Sequence, residues 1–237
     1  MFKIRMANLV IGIENKYEYV RWLCREYETD TEEPDFCVSA LELEIAREQE
    51  DSAGNGGAGM YSPQYCESIC LYRSICLKLI EYEAFLIHAA AVELDGEAYL
   101  FVARSGVGKT THAKLWLQEF GGRARVINGD KPVCRFFDGI LYVCGTPWCG
   151  KENMGSNAIS PVKAICFLER GDENRIHRME EGEVIERIFH QLLMPREESA
   201  MNHFLDMVDR MIATVDCFLL RCDTKEEAAW VAYRGMN

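Results

Sequence analysis

The spacing of apolar residues along the chain predicts strands that alternate with helices. Short apolar runs predict buried strands at residues 97–102, 125–130, 162–168 and 216–220. Apolar residues three and four apart predict a helix over residues 61–82, one after Lys109, and one on each side of Pro195. Thr224 and Glu227 form a capping box for a last helix. This pattern predicts an α/β fold.

Two short turns predict antiparallel strand pairs. Asp138-Gly139 separates the runs 133–137 and 140–144, which is the spacing of a two-residue hairpin. Asp95-Gly96 joins residues 84–92 to the strand at 97–102 in the same way. We therefore expect the strand that contains His88 to pair with the strand at 97–102.

The first part of the chain predicts a separate, smaller region. We expect residues 1–60 to form a small β-containing appendage and residues 61–237 to form the main domain. Two runs in the appendage are strand-like, residues 8–13 and 37–43. Two stretches are acidic, residues 26–33 and 42–51, and we expect them to be solvated faces or loops. The glycine-rich residues 51–59 are predicted to be a loop or linker.

Composition excludes several classes of protein. The net charge of −12 argues against nucleic-acid binding, which depends on clustered Lys and Arg. We expect no transmembrane helix, because no run of about 18 apolar residues occurs. The first residues lack the apolar core of a signal peptide, so we expect a cytoplasmic protein.

The eleven cysteines are expected to be thiols in a reducing compartment, because their number is odd and no export signal precedes them. Cys66 and Cys70 have the i, i+4 spacing of two helical metal ligands. No CxxC pair occurs, and no His lies near them in sequence, so we interpret them as small core residues.

The segment Ala103–Thr110, ARSGVGKT, carries the strongest chemical signal. It resembles a phosphate-binding P-loop, preceded by a predicted strand and followed by a predicted helix. Backbone N–H groups in such a loop bind phosphate together with the positive end of the helix. The residues expected to bind a nucleotide are Ser105, Gly106, Val107, Gly108, Lys109, Thr110 and Thr111.

Ala103 occupies the position where the P-loop pattern has Gly. A methyl group is tolerated there if φ is negative, and is costly if the turn needs a positive φ. We interpret Ala103 as a variant of the loop that still binds phosphate.

Phosphoryl transfer also needs a carboxylate that holds Mg²⁺ or activates the acceptor. Asp130 follows Lys109 by about twenty residues and ends a predicted strand, where α/β proteins place their sites. We predict Asp130 as a catalytic residue and, with the Thr110 hydroxyl, as a Mg²⁺ ligand. The other reading of Asp130 is an ordinary turn residue.

His88 and Lys151 are weaker candidates for catalysis. His88 lies in the strand next to the loop-bearing strand, although a lone His in an apolar strand is commonly a core residue. Lys151 belongs to the turn-rich run Gly145–Glu152, and its charge suits a transferring phosphoryl group; the alternative is a plain surface loop. Glu169-Arg170 ends another strand and is expected to face the same site.

Taken together, these segments resemble the superfamily of HPr kinase/phosphorylase and phosphoenolpyruvate carboxykinase. The resemblance is carried by residues 87–89, 105–111, 127–132 and 145–151, and it is nearest to the short HPr-kinase-like proteins of peptide-modification clusters. It implies a mixed-sheet P-loop core with C-terminal helices. It also implies a kinase that uses ATP or GTP with Mg²⁺ and phosphorylates a hydroxyl of a peptide, protein or small molecule, with a possible homo-oligomeric state.

Two positions depart from this family. HPr kinases carry paired Asp residues where this chain has Asp130-Lys131, and they carry Gly where it has Ala103. The alternative function is therefore a nucleotide-binding accessory protein without catalysis. The carboxykinases are much longer, and we expect no carboxykinase activity.

Overall fold

The protein has a mixed α/β fold. Its structure, a computed structural model, describes residues 1–30, 33–54, 61–225 and 227–237. The chain divides into two compact units, Met1–Leu79 and Ile80–Asn237. None of the helices in the described ranges is long and apolar enough to cross a membrane.

The first unit combines a small sheet with three helices. Its elements are β1 (Phe2–Met6), β2 (Leu9–Glu14), α1 (Glu18–Cys24), β3 (Phe36–Ser39), α2 (Glu42–Gly54) and α3 (Pro63–Leu79). β1 and β2 form an antiparallel hairpin across Ala7-Asn8, both of which have positive φ, and β3 pairs parallel to β2. The unit therefore contains both strands and helices.

Two local predictions in this unit differ in part from the structure. The expected strand at residues 37–43 ends at Ser39, and the acidic residues from Glu42 form the mostly exposed helix α2. An acidic helix with few apolar residues has little periodicity, which explains the error. The predicted linker at 51–59 begins inside α2, and its residues 55–59 lie outside the described ranges.

The helix predicted at residues 61–82 spans Pro63–Leu79 and is followed by a short 3₁₀ turn. α3 packs against α2 and α1. It therefore belongs to the first unit, whereas the sequence placed the domain boundary at residue 60. Cys66, Cys70 and Cys76 are buried on α3, as expected of core residues.

The second unit contains nine strands and four α-helices among its described residues. The strands are β4 (Ala84–Leu86), β5 (Ala89–Leu94), β6 (Glu97–Val102), β7 (Ala124–Asn128), β8 (Val133–Phe137), β9 (Ile140–Cys144), β10 (Ile159–Arg170), β11 (Arg175–Arg178) and β12 (Asp216–Cys222). The helices are α4 (Lys109–Phe120), α5 (Glu181–Ile188), α6 (Glu198–Thr214) and α7 (Glu227–Met236).

The sheet is mixed. Its main strand order is β4-β8-β9-β10-β6-β5-β7. β12 also pairs with β10, and β11 pairs with β12. β10 pairs antiparallel with β9 through its first residues and parallel with β6 through its later ones. The predicted hairpins β5–β6 and β8–β9 are both present.

Strand direction brings four segments to one edge of the sheet. β6 and β10 are parallel, while β5 runs antiparallel to both β6 and β7. The carboxyl ends of β6, β7 and β10 therefore lie at the same edge as the amino end of β5. This edge carries the glycine-rich loop, Asp130, Arg170 and His88.

Helices cover both faces of this sheet. Alternate residues of β5 and β6 face opposite sides, as the pleat requires. One face packs with apolar residues of α5 and α6, and the other with α4 and α7. Trp116 of α4 is fully buried on the second face. The loop between β6 and α4 is thus anchored at both ends in the core.

Candidate functional site

The loop between β6 and α4 has the backbone conformation that its glycines allow. Gly106 and Gly108 have φ of 79° and 132°, values that L side chains rarely adopt. An added methyl group would meet no atom within 4 Å at either position, so the requirement for Gly is conformational. Gly121, with φ of 54°, ends α4.

Ala103 does not obstruct this loop. It is not among the described residues with positive φ, and it is buried with 6% of its surface exposed in the core beneath α4. Its methyl group therefore packs in the core, and the turn does not need Gly at this position.

Lys109 is a buried cation at the amino end of α4. Its Nζ donates a hydrogen bond to the carbonyl oxygen of Ala103 at 2.8 Å, and 7% of the residue is exposed. Burial lowers the pKa of Lys109, and the negative charge of Asp130 opposes that shift. Lys109 and Asp130 both follow strands, β6 and β7, that end at the same edge of the sheet.

Arg170 holds the loop from the neighbouring strand. Its Nη2 donates to the Gly106 carbonyl oxygen at 2.6 Å, and its Nε to that of Val107 at 3.4 Å. With these carbonyl groups fixed on one side, the adjoining peptide N–H groups face the other side, since a peptide unit is planar and trans. The expectation that Glu169-Arg170 faces the site is met by Arg170.

Asp130 forms a pair with His88. Asp130 Oδ1 lies 3.2 Å from His88 Nε2, and Oδ2 lies 3.7 Å from Lys131 Nζ. Burial alone acts to raise the pKa of Asp130. The His88 hydrogen bond and the charges of Lys131 and Lys109 outweigh burial and lower this pKa, so Asp130 is ionised at neutral pH.

His88 is fixed by its backbone as well as its ring. Its N–H donates to the carbonyl oxygen of Gln191 at 2.7 Å, and the next N–H, of Ala89, donates to that of Asp130 at 3.1 Å. The predicted continuous strand over residues 84–92 is interrupted here, between β4 and β5. This break places His88 at the edge of the sheet and not in its core.

Asn128 organises the turn that bears Asp130, and the sequence reading missed this role. Its side chain is fully buried, and its Oδ1 accepts from the N–H groups of Asp130 and Lys131 at 2.9 and 2.8 Å. Its Nδ2 donates to Thr146 Oγ1 at 2.9 Å. The only sequence signal was a polar residue at the end of an apolar strand.

The loop after β9 wraps around the same turn. The N–H of Gly129 donates to the Met154 carbonyl oxygen at 2.8 Å. Gly150 has φ of 78°, and a methyl group on it would lie 2.8 Å from Cβ of Asp130. Lys151 follows Gly150 and is exposed. Its predicted role in catalysis stays a prediction.

The remaining nucleotide-site candidates lie along one stretch. Ser105 and Thr111 are exposed, and Thr110 is partly exposed in the first turn of α4. A hydroxyl and a carboxylate are oxygen ligands of the kind Mg²⁺ prefers, so Thr110 and Asp130 fit that ion by chemistry. No group of three or more His, Cys, Asp or Glu side chains suited to a metal occurs among the described residues.

Comparison with known proteins found little. No protein-family model and no curated protein matches the chain. Its structure is similar to that of the Hpr(Ser) kinase/phosphatase from Coxiella burnetii, with a TM-score of 0.38 and 7% identity, over 63% of this chain and 92% of that one. This similarity is weak.

Proposed function

We propose that the protein is a phosphotransferase that moves the γ-phosphoryl group of ATP or GTP to a hydroxyl of a peptide, protein or small molecule. The main support is that one edge of the sheet carries both Lys109, buried at the amino end of α4, and the Asp130–His88 pair. A buried cation at a helix N-terminus beside an ionised carboxylate is what phosphate binding and acceptor activation require.

The glycine-rich loop supplies the phosphate site in this proposal. The N–H groups of the loop and the first turn of α4 bind phosphate oxygens, and Lys109 exchanges its bond to the Ala103 carbonyl for one to the β- or γ-phosphate. Thr110 and Asp130 would hold Mg²⁺, which neutralises phosphate charge when bound. This exchange is favourable in a buried site, because a hydrogen bond from the Lys109 ammonium to an anion is stronger than one to a neutral carbonyl.

Asp130 acts on the acceptor in this proposal. The acceptor oxygen attacks the γ-phosphorus as the bond to the bridging oxygen breaks, and the hydroxyl proton passes to Asp130. His88 holds the carboxylate in place through Oδ1. Because the pKa of Asp130 is lowered, its contribution is mainly orientation and charge, as expected for a loose transition state.

One observation favours the alternative of a nucleotide-binding protein without catalysis. Lys131 Nζ lies 3.7 Å from Asp130 Oδ2, so a cation occupies the position next to the carboxylate. This charge weakens Asp130 as a base. ATP binding without turnover over many acceptors would support that reading.

Binding and transfer can be measured separately. Calorimetry with ATP and Mg²⁺ tests binding, and mass spectrometry of candidate acceptors tests transfer. We expect Lys109→Ala to abolish binding, and Asp130→Asn to retain binding but to lose about 100-fold or more of the transfer rate. Asp138→Asn, an exposed turn residue, is the matched control. Transfer that persists in Asp130→Asn combined with Lys109→Ala would refute the assignment.

A further inference from the structure

A cavity of about 620 Å³ lies beside the glycine-rich loop at the same sheet edge. Residues of the loop and of the end of β10 form one side of it, including Arg104, Phe167 and Arg170. The end of α5 and the turn after it form the other side, with Arg187 and Gln191. Its size is in the range of roughly 300–1,000 Å³ found for pockets that bind drug-sized molecules.

Gln191 contributes a buried acceptor to this cavity. Only 7% of the residue is exposed, and its Oε1 has no hydrogen-bond partner among the residues that the structure describes. An unsatisfied buried acceptor costs roughly 1–3 kcal/mol. The site therefore favours a ligand with an N–H or O–H donor. The Gln191 backbone also accepts from His88 N–H, which places this wall beside the His88–Asp130 pair.

The charge of the lining favours an anion. Three arginines and two glutamates line the cavity, although the whole chain has a net charge of −12. Glu169 is already bonded to Arg187 at 2.7 Å and to Arg221 at 3.2 Å. The exposed Arg104 side chain stands at the loop end of the cavity and is suited to an incoming carboxylate.

The triphosphate of a nucleotide is not the ligand that this cavity suits best. Arg170 lines the cavity and binds the carbonyl oxygens of Gly106 and Val107. The cavity thus borders the carbonyl side of the loop, whereas phosphate oxygens need the N–H side.

We propose that the cavity binds the phosphoryl acceptor, and that this acceptor is a hydroxyl-bearing segment of an acidic peptide. The inference rests on the proposed phosphotransferase function. A peptide N–H bonds to Gln191 Oε1, an Asp or Glu carboxylate pairs with Arg104, and the hydroxyl reaches Asp130. The hydroxyl oxygen bonds to the γ-phosphorus, the bond from that phosphorus to the β–γ bridging oxygen breaks, and Asp130 takes the proton.

The probes are two sets of short Ser peptides that differ only in having Asp and Glu, or Asn and Gln, around the Ser. With ATP and Mg²⁺, we expect the wild type to show a KM about tenfold lower for the acidic set. Gln191→Met, which removes the acceptor atom with little change in size, should raise that KM roughly fivefold and leave the Kd for ATP unchanged. Gln118→Met, on the exposed side of α4, is the control.

Several outcomes would overturn this proposal while leaving the phosphotransferase function intact. Equal KM values for both sets would refute the acidic class, and Lys109-dependent ATP turnover without phosphorylation of either set would refute the peptide. A higher Kd for ATP in Gln191→Met, with an unchanged KM for the peptides, would show that the cavity binds the nucleoside. The absence of Lys109-dependent ATP binding would instead refute the proposed function itself. If Gln191→Met lowers the melting temperature of the protein, Gln191→Asn takes its place in the KM measurement, because Asn moves the same kind of amide oxygen acceptor by shortening the side chain.

Discussion

His112 couples the stability of the protein to pH. It is buried beneath the loop on α4, and its Nε2 accepts a hydrogen bond from Trp116 Nε1 at 3.1 Å. Burial lowers the pKa of His112 to about 4. The unfolded chain takes up this proton near pH 6.5, so the stability due to neutral His112 is complete above that pH and is lost as the pH falls toward 4.

As the pH falls from about 7 to about 5, we expect protonation of His112 in the unfolded chain to lower the free energy of unfolding by about 2 kcal/mol. Urea unfolding at both values measures the change. His112→Gln keeps an acceptor for Trp116 and cannot be protonated. The change in its free energy of unfolding between the two pH values should therefore be smaller than that of the wild type by about 2 kcal/mol. Equal pH dependence in the two proteins would show that His112 does not contribute.

If the glycine-rich loop binds nucleotide as proposed, Arg170 acts on that affinity through the loop that it holds. Arg170→Gln removes the bonds to the Gly106 and Val107 carbonyl groups, so the loop N–H groups are no longer fixed toward phosphate. We expect Kd for ATP to rise about tenfold, Arg170→Lys to recover part of this, and the melting temperature to change little. Arg175→Gln, at an exposed arginine on β11, is the control. An unchanged Kd would contradict this role.

A contact between two loops positions Asp130, which forms the proposed catalytic pair with His88. Gly150 and Gly139 both have positive φ, but only a methyl group on Gly150 would collide, at 2.8 Å from Asp130 Cβ. Both Gly→Ala variants should lose about 1–2 kcal/mol of unfolding free energy from backbone strain. Only Gly150→Ala should also lower the transfer rate, because it displaces Asp130. Urea unfolding and transfer assays compare the two, and equal rates would show that the contact is unimportant.

The elements that the sequence predicted well are those with local signals. The Asp138-Gly139 turn marked the hairpin β8–β9, and apolar runs marked β6, β10 and β12. The contributions of Asn128 and Gln191 were not predictable, because they depend on segments distant in sequence. Asn128 joins its own turn to Thr146, and Gln191 meets His88 across the sheet edge.

The pairing of His88 with Asp130 was only partly foreseeable. His88 was a candidate because it lies in the predicted strand beside the loop-bearing strand, and Asp130 because it ends a predicted strand. Their separation of 3.2 Å follows from the antiparallel order β6-β5-β7, which hairpin signals fix for β5 and β6 but not for β7. The predicted domain boundary at residue 60 likewise differs from the structure, because no local feature of the sequence indicates that α3 packs against α2.

For the whole chain, burial controls the chemistry of the thiols. None of the eleven cysteines forms a disulfide; eight are buried, Cys149 and Cys222 are partly exposed, and Cys37 is exposed. Burial raises the pKa of Cys144 to about 12 and of Cys222 to about 11, which leaves little reactive thiolate near neutral pH.

A thiol reagent at about pH 8 should therefore modify Cys37 first and Cys149 more slowly, while the eight buried thiols react only after unfolding. Mass spectrometry over time measures the order, and Cys37→Ser should remove the first phase. Rapid modification of Cys134 or Cys166 in the native protein would mean that the sheet opens on the time scale of the reaction, because both side chains are fully buried in its two cores. Slow modification would show that the sheet edge bearing Asp130 and Lys109 is supported by a core that stays closed.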